Sequence, residues 1–185
     1  FKFIGEVIGN LEEDHEEERF IFGFEESYGY LSNRQVRDKD GVNACVLICE
    51  AARWYKNRGM NLEEVISTLY KEYGYYANSL WNVSFLGADG NRHIKNLLSK
   101  YRVNPPKEIG EFAVTDIQDY QCGINGLPKT NMLEFHLADN CKVMIRPSGT
   151  EPNLKAYIFS CAENRISAQS KILKIRNWLD INTKQ

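Results

Sequence analysis

No apolar run in this chain approaches the ~18 residues of a membrane span. The opening FKFIGEVIGN lacks the basic region, long apolar core and cleavage site of a signal peptide. It also lacks an initiator methionine, so the expectation is a piece of a longer polypeptide with no membrane partner. Charge of one sign is missing too. With 23 basic against 25 acidic residues and no basic stripe, nucleic acid is not an expected partner. Cysteine is present without a framework: the five form no Cys-x-x-Cys pair and no spacing with histidine that would suit zinc. An odd count also argues against a disulfide scaffold, and the expectation is a cytoplasmic protein. Cys45 and Cys49 stand i, i+4 and read as small apolar residues of a buried helix rather than as metal ligands.

What is there is globular. Hydrophobic residues at 43% and charged residues at 26% place the chain outside the disordered class, and the partner is expected to be a small molecule. Residues 1–18 read as a helix ending in an acidic run, six of the seven residues from Glu12 to Glu18. RFIFGF reads as a short buried strand leading into a polar turn, EESYGY. A first helix after Gly41 carries Val42, Cys45, Val46 and Cys49 on one face and Leu47 and Ile48 on another, the pattern of a largely buried helix. A second opens at Asn61-Leu-Glu-Glu64, a capping-box spacing.

Gly74 interrupts the pattern, and the domain boundary is expected near residue 79, with 74–78 as a hinge. Beyond it, LWNVSFL reads as a strand and GNRHIKNLLSKYR as a helix ending before Pro105. The stretches 111–121, 131–138, 141–146 and 154–160 read as strands, and the last segment as a helix with Ile172, Ile175 and Leu179 on one face. The fold class expected is α/β for the first part plus α+β for the second.

Three loops carry candidate chemistry. Arg146-Pro-Ser148-Gly149-Thr150-Glu151-Pro152 combines a guanidinium fork suited to phosphate oxygens, two hydroxyl donors, a glycine free to take positive φ, and flanking prolines that stiffen the turn. Glu151 opposes an anion unless it points away or pairs with a cation such as Lys155. A plain turn uses many of the same residues. Glu25, Glu26 and Ser27 follow the first strand, where carboxylates can accept bonds from sugar hydroxyls; an exposed acidic turn is the plainer alternative. Lys39, between Asp38 and Asp40, is held charged by its neighbours, and Asp40 is placed to cap the helix.

In combination, FGFEESYGY at 22–30, DKDG at 38–41 and RPSGTEP at 146–152 resemble the phosphohexomutase family, the phosphoglucomutases and phosphomannomutases. FKFIGE, KEYGYY at 71–76 and GLPKTNML at 126–133 extend the resemblance to the bacterial phosphoglucomutase branch and across nearly the whole chain. It implies the back of an α/β/α sugar-binding domain three at 1–79, then a small sheet-and-helices domain four, TATA-binding-protein-like, at 80–185. By the same resemblance, Glu25, Glu26 and Ser27 bind sugar hydroxyls, and Lys39 is an acid–base or electrostatic helper. Arg146, Ser148, Gly149 and Thr150 hold the phosphate that is not transferred.

The activity implied interconverts hexose 1-phosphate and hexose 6-phosphate through a phosphoserine and a hexose 1,6-bisphosphate. Glucose is favoured and mannose possible. Neither the family's Ser-His-Asn phosphoserine stretch nor its Asp-Gly-Asp Mg²⁺ loop is present, so both are expected in missing N-terminal domains of the same polypeptide. This chain alone is then expected to be inactive, with no metal site of its own. The alternative is a standalone phosphosugar-binding module without catalysis.

Overall fold

The structure, a computed structural model, describes residues 1–25, 28–85, 87, 89–124 and 126–183. It divides into two compact units, Phe1–Ser67 and Thr68–Gln185. Residue 79, where the boundary was expected, lies inside a strand of the second unit. So do four of the five residues expected to form a hinge. Gly74 alone stays outside the strand, at φ 94°, and stops the preceding helix.

The first unit starts with helix α1, Lys2–Glu13. It ends earlier than the expected 1–18, because His15 turns to φ 57° and a separate 3-10 turn takes Glu17–Arg19. Strands β1, Gly23–Glu25, and β2, Gly29–Leu31, pair antiparallel as a two-stranded ribbon. Helix α2 follows at Gly41–Lys56, capped by the Asp40 carboxylate accepting from the Asn43 amide at 2.9 Å. Helix α3, Leu62–Tyr73, starts in this unit, runs past its end at Ser67 and opens on the expected reciprocal cap. Glu64 N–H donates to Asn61 Oδ1 at 2.9 Å, and Asn61 N–H to Glu64 Oε2 at 2.8 Å.

Burial in this unit departs from expectation. Among its described residues Ile8 and Leu31 are the only buried large apolar ones, and α2 buries none. Ile21, Phe22 and Phe24 are exposed, so the RFIFGF stretch is not a buried strand, and only its last part pairs. Cys45 and Cys49 are exposed as well. Leu47 and Ile48, on the other apolar face of α2, line a groove of about 580 Å³ with Phe22, Tyr30 and Ala44, while Val42, Val46 and Cys49 of the stripe are exposed outside it. Periodicity identifies the face that seeks cover, and the described residues of this unit do not supply it.

The second unit is a six-stranded antiparallel sheet in the order β3-β8-β7-β6-β5-β4. Its strands are β3 Tyr75–Ser84, β4 Glu108–Ile109, β5 Phe112–Asp119, β6 Leu133–Leu137, β7 Cys141–Pro147 and β8 Asn153–Ala162. Helices α4, Gly90–Val103, and α5, Arg165–Asn182, complete it. The strands expected at 111–121, 131–138, 141–146 and 154–160 form to within two residues at either end; β3 starts at Tyr75, five residues before the expected Leu80, and β4 has no counterpart among the expected strands. One core joins Leu97, Leu98 and Tyr101 of α4 with Ile172, Ile175 and Leu179 of α5 and the sheet residues Phe135, Val143, Ile145, Ala156 and Ile158. Gly110 is needed for this packing: at φ 62°, a Cβ there would sit 2.7 Å from the backbone of Ile175.

Strand residues alternate between this core and the other face of the sheet. On β7, Val143 and Ile145 are buried while Arg146 is exposed; on β8, Ala156 and Ile158 are buried while Lys155 and Tyr157 are half-exposed. Glu134 occupies that other face yet is buried. The Tyr120 hydroxyl donates to its carboxylate at 2.7 Å, with His136 Nε2 at 3.0 Å and Lys142 Nζ at 3.3 Å.

Candidate functional site

The candidate residues fall in the two units, and each group has its own local geometry. In the first unit Glu25 ends β1, opposite Gly29 on β2. Lys39 lies in the loop between β2 and α2, which the Asp40 amide ties to the Tyr30 carbonyl at 2.9 Å. The two meet, with Lys39 Nζ 3.6 Å from Glu25 Oε2 and 3.8 Å from Asp38 Oδ1. The ammonium also stands over the Phe1 ring, 4.8 Å from its centroid.

Glycine is required at 29 by this approach. A Cβ there would strike the Phe1 ring and stand 3.0 Å from Lys39 Cε. Arg37 holds the loop to α1 through Glu12 and through the Gly5 carbonyl at 3.3 Å. Glu25 offers carboxylate acceptors here, and Lys39 is a cation aimed at it. Glu26 and Ser27, the other two residues expected here, lie outside the described residues.

In the second unit the candidate loop joins β7 to β8. Ser148 N–H donates to the Asn153 carbonyl at 2.7 Å, which closes the turn. Its far end is anchored where the Phe85 amide donates to the Pro152 carbonyl at 2.9 Å. Ser148 is half-buried, while Gly149 and Thr150 are exposed. Gly149 does not take the positive φ expected of it, and a Cβ there would meet nothing within 4 Å. Neither strain nor crowding demands glycine at that position.

Glu151, the residue that argued against an anion, is turned away. Its carboxylate accepts from Asn153 Nδ2 at 2.7 Å rather than pairing with Lys155. Arg146 instead lies directly opposite Lys155 across the β7–β8 ladder. Like charges at a cross-strand pair destabilise it. Neither cation has a carboxylate partner among the described residues, and Arg146 bonds only to the Tyr157 hydroxyl, 3.1 Å from its Nη2. Two unneutralised cations beside a turn bearing Ser148 and Thr150 form a surface that an anion would complete.

Lys155 enters the sequence reading only as a partner for Glu151, and Tyr157 does not enter it at all. The signal that finds them is register. Once β7 and β8 pair around the turn, alternate positions 155 and 157 fall on the face of Arg146. Among the described residues no three His, Cys, Asp or Glu side chains gather into a possible metal site.

Residues 2–73 match the family model described as phosphoglucomutase/phosphomannomutase, alpha/beta/alpha domain III. A phosphoglucomutase of Staphylococcus aureus (strain bovine RF122 / ET3-1) is 37% identical over 170 residues, covering 85% of this chain and 30% of that protein. A phosphoglucomutase of Staphylococcus epidermidis is 32% identical over 181 residues, covering 91% and 32%. The chain thus spans about a third of the length of the curated relatives it matches. Among solved structures, the open form of the exocytosis-sensitive phosphoprotein parafusin, a phosphoglucomutase from Paramecium, superposes with a TM-score of 0.63. At 22% identity, with 96% of this chain and 32% of that one covered, it shares the fold.

Proposed function

Because the chain belongs to the phosphoglucomutase/phosphomannomutase family, we propose that it supplies the sugar- and phosphate-holding surfaces of an enzyme interconverting hexose 1-phosphate and hexose 6-phosphate. The observation that carries this reading is the pair of unneutralised cations, Arg146 and Lys155, facing one another beside the Ser148–Thr150 turn while Glu151 is drawn off by Asn153. Glucose is the favoured sugar, with mannose also accommodated.

On this reading the turn holds the phosphate that stays on the sugar, Arg146 through its fork and Ser148 and Thr150 through hydroxyls. Glu25, with Glu26 and Ser27, accepts bonds from ring hydroxyls, and Lys39 supplies positive charge near the reacting end. Phosphoryl transfer depends mostly on positioning and on neutralising charge spread over phosphate oxygens, so these residues suit it without forming covalent bonds. A phosphoserine donor and a hexose 1,6-bisphosphate intermediate belong to the same reading. A fork for phosphate and acceptors for hydroxyls recognise groups common to both orientations of that bisphosphate. Mg²⁺, where bound in the whole enzyme, would neutralise phosphate charge; among the described residues no three His, Cys, Asp or Glu side chains gather to hold it. The working location is proposed to be cytoplasmic, where hexose phosphates are the soluble partners.

The test is an amide-shift NMR titration of the chain with glucose 1-phosphate, with inorganic phosphate in parallel. Shifts at 146–150 with both ligands, and at 25–29 with the sugar phosphate alone, are expected. No shift at 146–150 at millimolar ligand overturns the assignment of the turn. Arg146→Ala should weaken phosphate binding by about 1.5–3 kcal/mol, the range of a charge-assisted bond.

A further inference from the structure

Arg146 is a long side chain at the mouth of a hairpin, exposed and without a carboxylate to hold it among the described residues. Such a side chain samples many rotamers and binds weakly unless something fixes it before the ligand arrives. Tyr157 is the group placed to do so. In the ladder Met144 lies opposite Tyr157 and Arg146 opposite Lys155, so Arg146 and Tyr157 are diagonal neighbours on one face, within reach for a long chain and an aromatic ring. The contact is made twice. Arg146 Nη2 donates to the Tyr157 hydroxyl oxygen at 3.1 Å, and the guanidinium carbon lies 5.6 Å from the ring centroid.

A guanidinium has five N–H donors. Tyr157 engages one nitrogen and leaves the other edge of the fork free for a bidentate grip on oxygen. Tyrosine is suited to the task because it carries no charge at neutral pH. It orients the cation without neutralising it, as a carboxylate in the same place would. Tyr157 is itself fixed, since its strand is paired on both sides, to β7 and to β3, where Leu80 stands opposite it.

We propose that Tyr157 is a positioning residue for the phosphate-holding arginine, presetting the Arg146 guanidinium so that the turn is ready for an anion. The proposal rests on the phosphate reading of the turn, and the experiment separates the two. Tyr157→Phe keeps the ring, the strand pairing and the packing, and removes only the hydroxyl that accepts from Arg146. Inorganic phosphate and glucose 1-phosphate are titrated into the 185-residue chain. The readouts are the dissociation constant and the Nε–H resonance of Arg146, which sharpens when the side chain is held in one rotamer.

The expected result is phosphate affinity roughly three- to tenfold weaker in Tyr157→Phe, the effect of one lost hydrogen bond. An unchanged melting temperature and a broadened Arg146 Nε–H signal in the absence of ligand are expected with it. In an Arg146→Ala background the same substitution should do nothing further, because Tyr157 acts through the arginine. Equal affinity in Tyr157→Phe and the parent chain, with Arg146→Ala impaired, overturns the positioning role and leaves the turn's assignment standing. Equal affinity in Arg146→Ala and the parent overturns both. Additive losses in the double variant overturn it as well, since they would place Tyr157 on the ligand independently.

Discussion

The two units use similar hydrophobic patterns and come to opposite ends. In the second, the stripe of α5 delivers Ile172, Ile175 and Leu179 into a core closed by Phe135, Val143, Ile145 and Ile158. In the first, an equally clear stripe on α2 leaves Val42 80% exposed and buries no residue of that helix. An amphipathic pattern therefore states a demand, and the demand is met only where the partner face is among the residues at hand. The candidate chemistry divides the same way. The candidate turn at 146–152 is anchored to a packed sheet, while Glu25 and Lys39 depend on loops fastened to α1 by a few polar bonds.

Four comparisons sharpen or break this contrast. The largest effect is expected from Phe135→Ala, fully buried and edge-on to Tyr101. It should cost about 3–5 kcal/mol in urea unfolding. Val42→Ala should stay within about 0.5 kcal/mol. Comparable losses from both would break the comparison, because they would mean that the first unit conceals its stripe in solution.

Next is Arg102, which clasps Asp119 at 2.8 Å and Asn131 at 2.7 Å, tying α4 to the end of β5. Arg102→Ala should cost about 1.5–3 kcal/mol, because the charge-assisted bonds to Asp119 and Asn131 are lost and only those from Gln121 remain to these acceptors. Burial alone would raise the Asp119 carboxyl, but bonds from Arg102 and from the Gln121 amide bring it below its ordinary 3.8. A depressed value in the fold means stability that is present above 3.8 and lost as pH falls through the lower folded value. An acid-unfolding scan should show this loss in the parent chain, and Asp119→Asn should flatten it.

Smaller again is Asn61→Ala, which opens the cap of α3 and should cost about 1 kcal/mol. Hydrogen exchange should quicken at residues 62–65 while the core strands of the second unit keep their protection. Loss of protection in both would show that the units unfold together.

The last effect is spectroscopic. The Tyr120 hydroxyl, bonded to the Glu134 carboxylate and partly buried, is pushed up to about 12. Tyr101 is raised to about 12 by burial. Raised values mean that their contribution is intact below the ordinary 10 and fades as pH climbs through 12. Absorbance at alkaline pH should show both ionising late, and Glu134→Gln should bring Tyr120 down without moving Tyr101.

Much of the fold could be read beforehand, for local reasons. The Asn61–Glu64 cap and the Asp40 cap are set by side chains reaching backbone three residues on, and both form. The strands around residues 133–137 and 141–147 announce themselves by composition and a tight turn. The exposure of α2 could not be read, because burial depends on a partner surface that periodicity does not contain. At the candidate site, Arg146 was legible from its loop, since few turns combine a guanidinium with serine, glycine and threonine. Lys155 as its cross-strand neighbour and Tyr157 as its hydrogen-bond acceptor were not, because that geometry exists only after two strands have chosen their register.

That register has a genetic consequence. Arg146, Lys155 and Tyr157 alternate along β7 and β8 with Ile145, Ala156 and Ile158, so neighbouring codons serve opposite faces. Point substitutions can therefore alter the candidate face without touching the core, or the reverse. A single-codon insertion or deletion within β8 can do neither alone. It would turn Lys155 and Tyr157 inward and Ala156 and Ile158 outward, so the face beside the candidate turn and the core would fail together.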